Sequence, residues 1–104
     1  MAPPEAEIVV DAPLEEAWEA ITDPDALSAW FGADVELDPA PLGKARFRFA
    51  DGTSRLAIVE EVDAPHRLAW RWWPEGDRGQ ATRVAIDLEP IEDETRVIVV
   101  ESAA

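Results

Sequence analysis

A catalytic centre needs polar groups that converge, and this chain of 104 residues offers few candidates. Its one histidine, His66, lies in Ala64-Pro65-His66-Arg67. That pattern reads as a turn between strands with no serine or cysteine beside it, so His66 is expected to face solvent rather than act as a general base. The absence of cysteine excludes a thiolate nucleophile, a disulfide framework, an iron–sulfur cluster and a Cys-type zinc site. The runs Glu92-Asp93-Glu94 and Glu60-Glu61 could attract a hard cation, but they lack the alternating ligands and the glycine of a calcium loop. No metal and no cofactor are therefore expected. The five glycines, at 32, 43, 52, 76 and 79, all fall at predicted turns, so no phosphate cradle forms. With 23 acidic residues, some carboxylate pair will always sit at a glycosidase-like separation, and such a pair carries no information.

What stands out is aromatic: Trp18, Trp30, Phe31, Phe47, Phe49, Trp70, Trp72 and Trp73. Phe47 and Phe49 share one face of a predicted strand, and Trp70 and Trp72 share one face of another. Core filling accounts for such residues, since each buries roughly 150–250 Å². A curved sheet lined with aromatics can also enclose an apolar pocket. Alternation alone gives the candidate ligand-binding walls as Trp30, Phe31, Phe47, Phe49, Leu68, Trp70, Trp72, Val84 and Ile86.

The elements that must position these residues follow from periodicity. Glu7 to Asp11 is β-branched and bounded by Pro13, which suits a short strand. Leu14, Ala17, Trp18 and Ile21 then fall at the spacing of one helix face, with Glu15, Glu16 and Glu19 on the other. Pro13 suits the first helical position. Asp23-Pro24 starts a second short helix and Gly32 ends it, forming a V whose apolar side carries Leu14, Trp18, Ile21, Leu27 and either Trp30 or Phe31. From residue 33 onward the period is two: strands around Val35–Leu37, Ala45–Phe49, Thr53–Val62, Leu68–Trp73, Val84–Glu89 and Thr95–Glu101, with a polar loop over Pro74–Gln80. The last strand is apolar on both faces and should lie inside the sheet or be covered on both sides. The plan is α+β: a curved antiparallel sheet of a strand, two short helices and then five to six strands in hairpins, within a single domain spanning residues 1–104.

Nine Lys and Arg against 23 Asp and Glu give a formal net charge of −14. So negative a surface repels phosphate backbones and anionic membranes, which argues against nucleic acid or membrane as partners. The start, Met1-Ala-Pro-Pro-Glu-Ala-Glu, shows no secretory pattern, and no apolar run approaches the ~20 residues of a membrane span, so a cytoplasmic location is expected.

Three stretches together resemble the SRPBCC (START-like) superfamily. They are Ile8-Val9-Val10-Asp11-Ala12-Pro13 continuing through Leu14-Glu15-Glu16-Ala17-Trp18, Ile21-Thr22-Asp23-Pro24 followed by Leu27 and Trp30, and Pro65-His66-Arg67-Leu68-Ala69-Trp70-Arg71-Trp72. Within the superfamily the resemblance is closest to homologues of the activator of the heat-shock-protein-90 ATPase, and it runs from about residue 6 to residue 101. It implies a helix-grip fold, in which an antiparallel sheet curls around a long C-terminal helix and leaves a hydrophobic cavity. Here the sequence stops at Ser102-Ala103-Ala104, where that pattern continues into the helix. The face bearing Leu68, Trp70, Trp72, Val84, Ile86, Leu88, Val97 and Val99 is therefore expected to lie in water. A trimmed chain, a partner that supplies the helix, or self-association in a two-fold dimer would answer that exposure.

Three functions are weighed on these grounds. The first is non-enzymatic binding of a small hydrophobic or amphipathic molecule. The second is a chaperone-regulating interaction module, as the resemblance implies, whose acidic surface meets a basic partner. The third is an enzyme like the polyketide cyclases of the superfamily, for which only Glu60, Glu61 or Arg71 can be nominated as a cavity acid or base.

Overall fold

The computed structural model describes residues 5–103; the reading of Met1 to Pro4 as free of a leader, and the final Ala104, lie outside them. A first strand, β1 (Glu5–Val10), leads into helix α1 (Leu14–Thr22). Pro13 sits just before that helix, as its N-cap at φ −65° rather than as its first residue, and Glu15 and Glu16 complement the positive end of the helix. Asp23 is both stop and start. Its backbone N–H donates to the Glu19 carbonyl, and its side chain accepts from the Asp25 N–H at 3.0 Å, capping α2 (Pro24–Phe31). Gly32 then closes α2 at φ 64°, a left-handed conformation that glycine adopts without strain.

Six strands follow: β2 (Ala33–Leu37), β3 (Lys44–Phe49), β4 (Ser54–Asp63), β5 (Arg67–Pro74), β6 (Thr82–Ile91) and β7 (Glu94–Ala103). The expected polar loop between β5 and β6 holds one 3₁₀ turn, Arg78–Gln80. All strand pairs are antiparallel, and the sheet order is β1-β7-β6-β5-β4-β3-β2, curled into a half-barrel. β1 and β2 are thus opposite edges, so the α1–α2 V that joins them must cross one face of the sheet. The final strand lies between β1 and β6, the interior place its apolar run predicts. At the β3 end, a Cβ on Gly43 would collide with the Asp38 carbonyl oxygen, so only glycine fits that loop.

Register decides which side chains share the inner face. Val59 pairs with Trp70, Ala57 with Trp72, Trp70 with Val84, Leu68 with Ile86, Ile86 with Val99 and Ile8 with Val97. Contrary to the sequence expectation, this face is not left in water. Leu68, Trp70 and Ile86 are fully buried, and Trp72, Val84, Leu88 and Val97 are buried as well, with only Val99 partly open. The cover comes from α1 and α2, whose Ala17, Ile21, Leu27 and Phe31 pack onto the sheet.

On the outer face, the small pair Ala69 and Ala85 lets long charged side chains lie flat, and both alanines are buried beneath them. Arg67 donates to Glu61 at 3.0 Å and to both Asp87 oxygens at 2.6 and 2.7 Å, while Arg83 reaches Glu60 and Glu61. The hydrogen bond from Arg67 chiefly holds the Glu61 carboxyl below its ordinary value of 4.5. A depressed carboxyl pKa stabilises the fold above that ordinary value, and the contribution is lost as pH falls through the folded pKa. Wild type should therefore melt slightly above Glu61→Gln at neutral pH, with the gap closing as pH drops below 4.5. Parallel melting curves that keep a constant gap into acid would contradict this.

Candidate ligand-binding site

The aromatic residues singled out by alternation converge. The Phe47 ring lies 5.5 Å from Trp70 and 5.2 Å from Trp72, centroid to centroid, and the two indoles are 6.0 Å apart. Into this group α2 inserts Phe31, 5.5 Å from Phe47 and 6.1 Å from each indole. Of the two candidates at the end of α2, Phe31 therefore points inward, while Trp30 stays 41% exposed. Leu68, Val84 and Ile86 continue the same packed layer. Phe49 lies apart, partly buried, beside a shallow groove that it shares with Ser28, Gly32, Ala33, Asp34, Arg48 and Ala50. The palm of the sheet is thus filled by the chain's own rings, held in the tilted and edge-on arrangements that aromatic pairs favour.

Polar anchors fix the rim of this cluster. Trp72 Nε1 donates to Glu101 Oε2 at 2.9 Å and to Thr82 Oγ1 at 3.0 Å, and Thr82 Oγ1 donates to the same carboxylate oxygen at 2.6 Å. The Arg55 guanidinium lies 4.8 Å from the centre of the Trp72 ring. Neither Glu101 nor Thr82 was singled out by sequence: they stand at inward register positions, after Val97 and Val99 on β7 and opposite Trp72 on β6, but a carboxylate and a threonine give no apolar signal there. Trp70 Nε1 is buried without a hydrogen-bond partner among the described residues.

Open space lies next to the filled palm, between the helices and the β1–β7 edge. A cavity of about 300 Å³ is bounded by Ile8 and Val10 of β1, Ala12, Glu16, Ala17, Ala20 and Ile21 of α1 and its approach, Ala26 and Trp30 of α2, and Val97 of β7. Four of these ten are alanines; Ala17 is packed into the core, while the short side chains of Ala12, Ala20 and Ala26 leave the space beside it open. Ile8 and Trp30 are 44% and 41% exposed, so the cavity opens to solvent beside them. Trp30 is the one position shared with the alternation-based set. Ala17, Ile21 and Val97 were read from periodicity as inward-facing but not as cavity walls, and Ala12, Ala20 and Ala26 drew no notice because alanine reads as filler; Ala17 and Ala20, one turn apart and followed by Ala26, are the one hint of a gap the sequence carries.

The groups nominated for acid–base chemistry lie elsewhere. Glu60, Glu61 and Arg71 belong to the outer-face ion-pair ladder, with Arg71 bridging to Glu60 at 3.4 Å, so they do not face a cavity. The bulge between Val59 and Glu61, invisible to strict alternation, helps place both glutamates there. His66 is exposed in its turn, as its sequence context indicates. Among the described residues no group of His, Cys, Asp or Glu is arranged to hold a metal, and no helix is long and apolar enough to cross a membrane.

Comparison with known proteins bears on this architecture. No curated protein matches the chain. DynU16, a protein of the dynemicin biosynthetic locus, superposes with a TM-score of 0.82 at 29% identity over 95% of this chain, which spans only 36% of the DynU16 chain. An HSP90 activator from Plasmodium falciparum gives 0.80 at 20% identity, covering 98% of this chain and 73% of that one. The Aha1 dimer from Colwellia psychrerythraea gives 0.79 at 23% identity, covering 100% and 78%. The model of the family described as Activator of Hsp90 ATPase homolog 1-like protein matches residues 11–104. With that match over nearly the whole chain, and with two helices laid on a seven-stranded antiparallel half-barrel, the protein belongs to the Activator of Hsp90 ATPase homolog 1-like family of the SRPBCC fold.

Proposed function

We propose that the protein binds a small hydrophobic or amphipathic molecule, and that the molecule enters the cavity between the α1–α2 V and the β1–β7 edge rather than the aromatic palm. One observation carries the reading: a solvent-open space of about 300 Å³, walled almost wholly by apolar side chains, beside a half-exposed tryptophan. Its volume falls at the lower end of the roughly 300–1,000 Å³ of small-molecule sites. Binding, not turnover, is the activity proposed, since Glu16 is the one titratable group on its wall. Ala20→Phe supplies the test. Ala20 is exposed on α1 and lines the cavity, so the added ring fills the space without disturbing the core. Ligands that raise the melting temperature of wild type should lose that effect in this variant; an undiminished shift would place them elsewhere.

A second reading is favoured by the charge of −14 and by the likeness to an HSP90 activator: an interaction module that meets a basic protein partner. It predicts steep weakening with salt, because exposed charges are screened over about 8 Å at physiological ionic strength. A chaperone pull-down indifferent to salt would contradict it. With the inner face covered, we place a homodimer at the β1 edge, one of the two edges of the sheet and the one where Ile8 and Val9 are 44% and 52% exposed. A cytoplasmic location fits both readings.

A further inference from the structure

The cavity carries one charge, and its sign is informative. We infer that this site selects hydrophobic cations, apolar molecules bearing an ammonium or comparable positive group, over neutral and especially anionic amphiphiles; the inference rests on the cavity being a ligand site.

Glu16 stands among nine apolar lining residues, and no Lys or Arg lines the space. None of the ion pairs among the described residues uses Glu16, so its carboxylate is unengaged. The positive end of α1 does not cancel it, because Glu15 occupies the same first turn and the helix supplies only about half an elementary charge. Trp30 lines the same cavity and is 41% exposed, and the face of an indole attracts cations. A headgroup at this rim would therefore meet a free carboxylate and a half-exposed indole, while its apolar body lay among Ile8, Ala17, Ile21 and Val97. An anionic headgroup would meet repulsion from Glu16 there, at the strength of a charge on the exposed side of α1. The net charge of −14 adds a long-range bias of the same sign.

The test compares three probes with unbranched ten-carbon chains, decyltrimethylammonium, decanol and decanoate, titrated into the full chain at neutral pH and low salt, below the micelle concentrations of the two ions and the solubility limit of decanol. Affinity should fall in that order, with about tenfold between cation and anion. Glu16→Gln should shrink that ratio about threefold. Glu36→Gln, which removes the same charge from an exposed site on β2 at the opposite edge of the sheet, should leave it unchanged. Equal affinities for the three probes, all abolished by Ala20→Phe, would overturn charge selection while leaving the cavity a binding site. An equal response to Glu16→Gln and Glu36→Gln would overturn it too, by tracing the preference to the overall field. If no probe binds, or Ala20→Phe has no effect, the ligand reading itself fails and this inference falls with it.

Discussion

Trp70→Ala should destabilise the domain by about 3–5 kcal/mol, the usual cost of truncating a large buried aromatic. Trp70 is fully buried and lies 5.5–6.1 Å from three other rings, those of Phe47, Trp72 and Phe31, so its loss opens a void bordered by side chains from β3, β5 and α2 at once. Those neighbours are themselves fixed by the sheet register and by the insertion of Phe31, which limits how far they can collapse inward. At roughly 4–8 °C per kcal/mol for a domain of this size, the melting temperature should fall by well over 10 °C. With total stabilities of about 5–15 kcal/mol typical, much of the population could unfold near physiological temperature. Trp70→Phe provides the control. It keeps a ring in the cluster and removes an indole N–H that has no partner among the described residues, a group whose burial costs about 1–3 kcal/mol. Its net effect should be a small fraction of that of the alanine variant. Equal losses for the two, or a mild loss for Trp70→Ala, would show that the aromatic cluster does not hold helices and sheet together.

The second large effect is stabilisation by ligand. A molecule that binds only the folded state, present at about 100 times its dissociation constant, adds about 2.7 kcal/mol. For this domain that is a rise of roughly 10 °C or more in melting temperature, readily seen in a thermal shift screen. Apolar molecules small enough for about 300 Å³ should produce it, bulkier polycyclic ones should not, and Ala20→Phe should erase it. Shifts that grow with ligand size, or persist in Ala20→Phe, would point to another surface.

Much of the architecture was legible because punctuation and periodicity agree along the chain. Asp23-Pro24 and Gly32 bound α2 as their capping chemistry requires, and period-two alternation from residue 33 onward locates six strands. The apolar run Val97–Val100 foretold an interior strand. What alternation could not supply was the answer to which element covers which face. Trp30 and Phe31 are adjacent and equally apolar, and only the placement of α2 across the sheet sends Phe31 into the rings and leaves Trp30 at the cavity. The inner face was expected to be wet because its cover was sought in a C-terminal helix, whereas α1 and α2 already pack upon it. Similarly, the open space is defined by side chains that are small, and the spacing of Ala17, Ala20 and Ala26 only hints at a gap whose place beside β1 and β7 the backbone alone fixes. The bulge between Val59 and Glu61 likewise shifts side chains by one position in a way that strict alternation cannot register.

Methyl-resolved NMR during a titration with decanol addresses the central claim most directly, because methyl groups report from both the cavity and the palm. If the ligand enters between the helices and the β1–β7 edge, the methyls of Ile8, Val10, Ala17, Ile21 and Val97 should shift together in a saturable way, while those of Leu68 and Ile86 stay still. Saturable shifts at Leu68 and Ile86 without change at Ile8 and Val97, or no shifts at any of them, would contradict the account.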